Sequence, residues 1–341
     1  MKNRSLISVC WLAAMIFVLN LTFQVASQAQ ETNDAPKVSE GEAKLVTAFN
    51  AAADAGAKLT VAEEFVKKYP KSALLSEMAQ MMAIEISKVK DSTQKLALAD
   101  RFDKAFRGKE AQAIVRLARL DAFVSSNRVD DAFSLAAAIL TTDSQELHTL
   151  VQMTFTGADE AKRGNTKYLQ LSQQYGVKAI EIIEANKKPA SMDEALWTNH
   201  KAALPQLYQQ TAVLAMVNKN PADARARLAK AIELKPEDPS SYAILAFLTN
   251  NEYVELATSY KTMPEGKEKL EMLGKLQGMI DSIIDSYARV VALSTGKPEY
   301  QALLQQVMPD LTSYYKYRHN QSVEGLQQLI DKYKPQPPTK P

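Results

Sequence analysis

The sequence predicts an all-α protein, and two observations carry that prediction. Glycine makes up 11 of the 341 residues, about 3% against an average near 7% in proteins. Apolar residues recur every three or four positions along most of the chain, the spacing that places them on one face of an α-helix. Because good helix formers such as Ala, Leu, Lys, Glu and Gln also dominate, we expect well over half of the residues to be helical.

The first 29 residues have the pattern of a secretory signal peptide. A basic start is followed by an uncharged apolar run over 6–19, and Ser27 and Ala29 supply the small residues of a cleavage site. An uncleaved membrane anchor is the alternative, because weak apolar character continues to about Ala26, close to the length that spans a bilayer. We therefore predict an exported protein, periplasmic or secreted, with anchoring by this segment as the alternative.

The net charge restricts the class of partner, and the cysteine content restricts the kind of site. The formal net charge is +2 and the basic start supplies two of the positive charges, so the chain after residue 29 is close to neutral. A neutral chain has no electrostatic reason to bind nucleic acid, and we expect membrane contact only if the N-terminal segment is uncleaved. Cys10 is the only cysteine. A cleaved chain would contain no disulfide, thiolate metal ligand or cysteine nucleophile.

A first helical region is predicted over 40–190, after a short polar linker over 30–39. Thr60 is expected to cap the second helix, and Pro70 ends it because proline disfavours helix at the residue before it. The predicted helices are 40–55, 61–69, 73–89, 93–106, 110–125 and 129–141, with weaker helical patterns at 144–155 and 166–185.

A second helical region is predicted over 191–333. Pro205 lies inside the pattern that starts at 192 and is expected to end or kink that helix. The longest amphipathic pattern covers 265–293, with apolar residues every three or four positions. The last predicted helices are 299–319 and 323–333, and the Pro-rich tail 334–341 is expected to be disordered or polyproline-like.

The stretch 221–245 carries the most informative motif. Small, bulky, small and proline residues follow one another at the spacing of a helix that ends a repeat, and Tyr-x-x-Leu-Ala then opens the next helix. The residues that carry this packing pattern are Ala224, Leu228, Ala231, Pro236, Tyr242, Leu245 and Ala246. Tyr208 also lies 34 residues before Tyr242, which is one tetratricopeptide repeat (TPR) period.

These residues resemble the TPR family, with weaker similarity at 60–90, 110–141 and 279–305. Extra residues near 250–275 break the period and are interpreted as an insertion. The resemblance implies a degenerate TPR-like α-solenoid of stacked antiparallel helix pairs, whose first helices line a groove that holds a peptide or a helix. On that basis the groove is lined by Gln206, Gln209, Val213, Ser240, Ala243, Phe247, Asn250 and Asn251.

One aromatic and basic cluster stands outside the repeat motif. On a helix, Tyr314, Tyr317 and Arg318 share one face while Tyr315 points elsewhere. Such a face can form a binding patch, because aromatic rings beside cations stack on ligands. Core packing, with the tyrosine hydroxyls reaching solvent, is the alternative interpretation.

No residue pattern predicts catalysis, a cofactor or a metal. His148, His200 and His319 lie far apart and match no metal-binding spacing, so exposed or capping roles are expected. Asp130-Asp131 and Asp159-Glu160 are expected at helix starts, where carboxylates complement the helix dipole.

The predicted function is a non-catalytic scaffold that binds an unknown protein or peptide. A membrane-tethered envelope scaffold, or an accessory subunit of a cell-envelope enzyme, is the alternative.

Overall fold

The computed structural model of the chain describes residues 38–190 and 192–334. These residues form fifteen α-helices and one 3-10 turn, and no strand occurs among them, which confirms the predicted all-α class. The helices are α1 (Glu40–Ala51), α2 (Ala55–Lys68), α3 (Leu75–Lys88), α4 (Ser92–Ala105), α5 (Lys109–Ser125), α6 (Val129–Thr142), α7 (Leu147–Lys162), α8 (Leu169–Glu184), α9 (Glu194–Ala202), α10 (Leu204–Val217), α11 (Pro221–Leu234), α12 (Pro239–Thr262), α13 (Lys267–Ser294), α14 (Gln301–Arg318) and α15 (Leu326–Lys332).

The chain divides into two compact units, and the division falls inside α7, between Thr149 and Leu150. The sequence placed its boundary between two helical regions at 190–191, which is later. The difference arises because α8 packs against α10 in the second unit. At their contact a Cβ on Gly176 would lie only 2.4 Å from Thr211 Cγ2, so glycine lets the two helices approach closely. The tail after Lys334 and the N-terminal segment lie outside the described residues.

In the first unit, neighbouring helices pack on one another around a core of large apolar side chains. Phe65, Met78, Met82 and Phe102 are all completely buried, and α3 and α5 pack together across the unit. The helix α2 begins earlier than predicted, because Asp54 accepts a hydrogen bond from the backbone N–H of Ala57 at 2.8 Å and caps it. The prediction that Thr60 caps this helix is therefore wrong.

In the second unit, α10 pairs with α11 and α12 pairs with α13. The motif residues Ala224, Leu228, Ala231 and Ala246 are completely buried, as the packing pattern requires. Tyr242 is also buried, Leu245 is half-buried, and Pro236 is exposed. The Tyr242 hydroxyl donates to the carbonyl oxygen of Pro236 at 3.2 Å, which ties the start of α12 to the preceding turn.

Pro205 acts as expected, since α9 ends at Ala202 and Pro205 occupies the first turn of α10. Proline is well accommodated there because the first N–H groups of a helix have no intrahelical partner.

The extra residues near 250–275 lengthen α12 and α13, which have 24 and 28 residues, into a long helical hairpin. At the tip, Lys269 Nζ lies 5.3 Å from the centre of the Tyr260 ring and 2.6 Å from Glu265. All residues of 250–275 are described, and none of their side chains is buried. The hairpin therefore extends beyond the core that its base shares with α14 and α15.

No helix in the described part of the chain has both the length and the apolar character needed to cross a membrane.

Candidate protein-binding face

The helices α12 and α14 bring together residues from two separately predicted sites. The hydroxyl of Tyr314 on α14 donates a hydrogen bond to Asn250 Oδ1 on α12, across 64 residues of sequence. The Tyr314 ring also lies 6.3 Å, centroid to centroid, from the ring of Tyr287 on α13. The α12 end of the predicted groove and the aromatic cluster therefore belong to one surface.

An ion pair fixes α14 against α13 next to this surface. The guanidinium of Arg318 donates to both carboxylate oxygens of Asp281, at 2.8 and 3.3 Å. Tyr315 is buried, and its hydroxyl donates to the carbonyl oxygen of Glu324 at 2.7 Å. These two contacts fix α14, on which Tyr314 is half-buried against α12 and α13 and Tyr317 is exposed.

Large side chains remain open to solvent on this surface. Phe247 on α12 is 54% exposed and Tyr317 on α14 is 65% exposed. Tyr253 and Tyr314 between them are half-buried. We call this surface the α12–α14 face and define it by Phe247, Asn250, Asn251, Tyr253, Tyr314 and Tyr317.

The hydroxyls of Tyr253 and Tyr314 on the α12–α14 face stay protonated at neutral pH, because the pKa of each is raised. Burial, followed by the neighbouring Tyr317, raises the pKa of Tyr253. Burial and the charge of Asp310 raise the pKa of Tyr314. The same two causes, with Tyr314 added, raise the pKa of Tyr287 behind them to about 12. The face therefore presents neutral hydrogen-bond donors on aromatic rings.

Two of the predicted groove residues do not lie on any open surface. Gln209 and Val213 on α10 are 4% and 9% exposed, so the prediction that they line a groove is wrong. The Gln209 amide donates to Asp238 Oδ2 at 3.0 Å and to Ser241 Oγ at 2.8 Å, which joins α10 to the start of α12. Polar side chains such as glutamine are normally exposed, so the sequence did not indicate that Gln209 would be buried and would bridge α10 and α12.

The remaining groove candidates keep some access to solvent. Gln206 and Asn251 are exposed, whereas Ser240 and Ala243 are half-buried near the start of α12. Among the later residues of the predicted set, Asn250 contacts Tyr314 of α14, and Phe247 lies about one turn before Asn250 on the same side of α12.

An open cleft of about 510 Å³ lies between α11, α12 and α13, and sequence reasoning missed it. Its charges are partly paired with one another. Arg225 donates to Glu252 and, at 3.3 Å, to Thr249 Oγ1. Because these positive and negative side chains are paired, the cleft has no excess of either charge that would attract an oppositely charged ligand.

Two of the three histidines are less exposed than one of the two expected roles requires. His200 is only 7% exposed, so it is not an exposed histidine, but it lies in the last turn of α9. His148 lies 3.3 Å from Asp121. Burial opposes the charged imidazolium, but the hydrogen bond and charge of Asp121 outweigh it and raise the pKa of His148. His319 is exposed and follows the last residue of α14.

One of the two acidic pairs is placed differently from the prediction. Asp130 and Asp131 lie in the first turn of α6. In contrast, Asp159 and Glu160 lie in the last turn of α7, where Glu160 accepts from Asn165 Nδ2 at 2.6 Å. Across 38–190 and 192–334, no three His, Cys, Asp or Glu side chains are grouped to hold a metal ion.

Comparisons with known proteins find similarity to solved structures. No protein-family model matches the chain. No curated protein matches it either. One of the solved structures that match is a tetratricopeptide repeat protein from Parabacteroides merdae ATCC 43184, with 12% sequence identity and a TM-score of 0.38, over 78% of this chain and 96% of that one.

Proposed function

We propose that the chain is a non-catalytic, TPR-like scaffold that holds a segment of another protein on the α12–α14 face. The observation that carries this proposal is a pair of contacts between α12 and α14, Asn250 with Tyr314 and Tyr253 with Tyr317. The exposed rings of Phe247 and Tyr317 lie about one turn from Asn250 and Tyr314 on the same helices. Tyrosine is enriched at protein interfaces because its ring buries apolar area while its hydroxyl keeps a hydrogen bond.

The surroundings of the face favour an elongated partner segment over a small molecule. The α12–α14 face lies on two helices, and its aromatic rings stand open to solvent instead of enclosing a cavity. Small-molecule sites are usually concave and enclose most of the ligand. A peptide or helix instead gains affinity from a few aromatic anchors along an open surface.

A photo-crosslinking experiment tests the binding surface. We expect a photoreactive amino acid at Phe247, and separately at Tyr317, to form the same covalent adduct with one partner when the protein is expressed in its native envelope. Both positions are exposed, so the replacement is not expected to disturb folding. Mass spectrometry of the adduct would identify the partner segment.

The matched control is the same amino acid at Leu234, on α11. Its exposure of 47% is similar to that of Phe247, but it lies outside the α12–α14 face. An adduct of equal yield at Leu234, or no adduct at either test position, would contradict the proposed binding surface.

We also propose that the protein is exported, on the strength of the sequence pattern over 1–29, which lies outside the described residues. The expected mature chain begins at Gln30, and mass spectrometry of the purified N-terminus measures this. A membrane-bound chain that retains residues 1–29 would instead support the anchored alternative.

A further inference from the structure

The outer side of α13 carries a strip of exposed residues. Leu270 is 70% exposed, more than any other large apolar side chain in the described residues. The strip consists of Lys267, Leu270, Gly274, Gly278 and Asp281, which recur every three or four positions and therefore share one helix face. We call it the α13 strip.

This part of the hairpin is poorly covered by its own chain. Val254 on the facing helix α12 is also 54% exposed. A pair of helices cannot bury an outward apolar side chain against itself, so such residues are covered only by a further layer. The exposed side chain of Leu270 contributes nothing to the stability of the single chain.

The two glycines of the strip are not needed for packing within the chain. A Cβ added to Gly274 or to Gly278 would have no atom within 4 Å, and both residues lie well inside α13. Glycine weakens a helix relative to alanine. A bare backbone at these two positions would allow another helix to approach closely.

We propose that the α13 strip is the interface between two copies of this chain, packed antiparallel about a two-fold axis at Gly274. A two-fold interface requires the same surface to be complementary to itself. With the two-fold axis at Gly274, Leu270 of one copy lies opposite Gly278 of the other. The Leu270 side chain then occupies the space that is open because glycine has no side chain.

The same axis places Lys267 opposite Asp281, so that unlike charges meet at both ends of the strip. The Lys267 side chain is 89% exposed and its nearest carboxylate, on Glu271, is 3.7 Å away. Asp281 already accepts from Arg318, but a carboxylate has about four acceptor positions and can take a second cation. Both shape and charge thus fit a reversed copy of the same strip.

Sedimentation velocity of the full chain tests the proposal. We expect a species of twice the single-chain mass, and we expect Leu270→Glu and Gly278→Leu each to convert it to a single-chain species. Neither change should alter the helical content of the single chain measured by circular dichroism, because both sites are open to solvent and Gly278→Leu raises helix propensity. Leu234→Glu is the control, and its association should match wild type.

A single-cysteine experiment locates the axis. In a Cys10→Ser background, Gly274→Cys provides the only thiol, and mild oxidation should join two copies through it. The matched control is Gly108→Cys, which is equally unobstructed but lies on the first unit. A single-chain species at every concentration, association that survives Leu270→Glu, or equal oxidation at Gly108 would each overturn the proposal. The outcome is independent of the α12–α14 face, because neither experiment changes its residues.

Discussion

Replacing Ala231 with aspartate is expected to destabilise the second unit by about 3–5 kcal/mol, the cost of a buried charge without a partner. Ala231 is completely buried in α11, on the same face as the buried residues Ala224 and Leu228. An added carboxylate would lose its water and separate the helices that pack on this face. Thermal melting followed by circular dichroism would measure the loss of stability.

Ala229→Asp is the matched control, because Ala229 lies two residues away on the same helix and is exposed. Its melting temperature should stay close to wild type. If Ala231→Asp also melts like wild type, the packing of α11 described above is incorrect.

Replacing Asp238 with alanine is expected to cost about 2–4 kcal/mol, since it removes a helix cap and leaves a buried amide donor unpaired. Asp238 is 3% exposed. Its Oδ1 accepts from the backbone N–H of Ser240 at 2.9 Å, and its Oδ2 accepts from Gln209 Nε2 at 3.0 Å. Urea unfolding would measure the change in the free energy of unfolding.

Two further variants separate the cap from the buried bridge. Asp238→Asn keeps a good capping side chain and should lose less stability than the alanine variant. The double variant Asp238→Ala with Gln209→Leu should lose less than the sum of the single changes, because no amide donor is left unpaired. Strict additivity would show that the Gln209 bridge contributes nothing to stability.

The helices themselves were largely predictable because their signals are local. The apolar period placed α5 and α6 within a residue or two of their observed bounds, and Pro205 marked the start of α10. The start of α2 was missed because the first helix was predicted to run over 40–55, which placed Asp54 inside that helix and left Thr60 as the cap of the next one. Only the hydrogen bond of Asp54 to Ala57 distinguishes them.

Individual residues of the α12–α14 face could be predicted from the sequence, but their assembly into one surface could not. Residue types singled out Asn250 and Tyr314 separately, and neither pattern indicated that they touch. Gln209 was assigned to a groove because the TPR resemblance implied that the first helix of each pair lines it. Its burial depends on the angle at which α10 meets the start of α12, where Asp238 and Ser241 receive its amide.

The sequence by itself determined that the described chain is helical, where most helices begin and end, and which small and bulky residues pack in 221–246. Those properties depend on hydrogen bonds and side chains within a few residues of one another. The tertiary structure alone decided that α14 meets α12 to join Tyr314 with Asn250, and that Leu270 stands uncovered on α13. Contacts across 64 residues depend on how whole helices orient and pack, which no local spacing specifies.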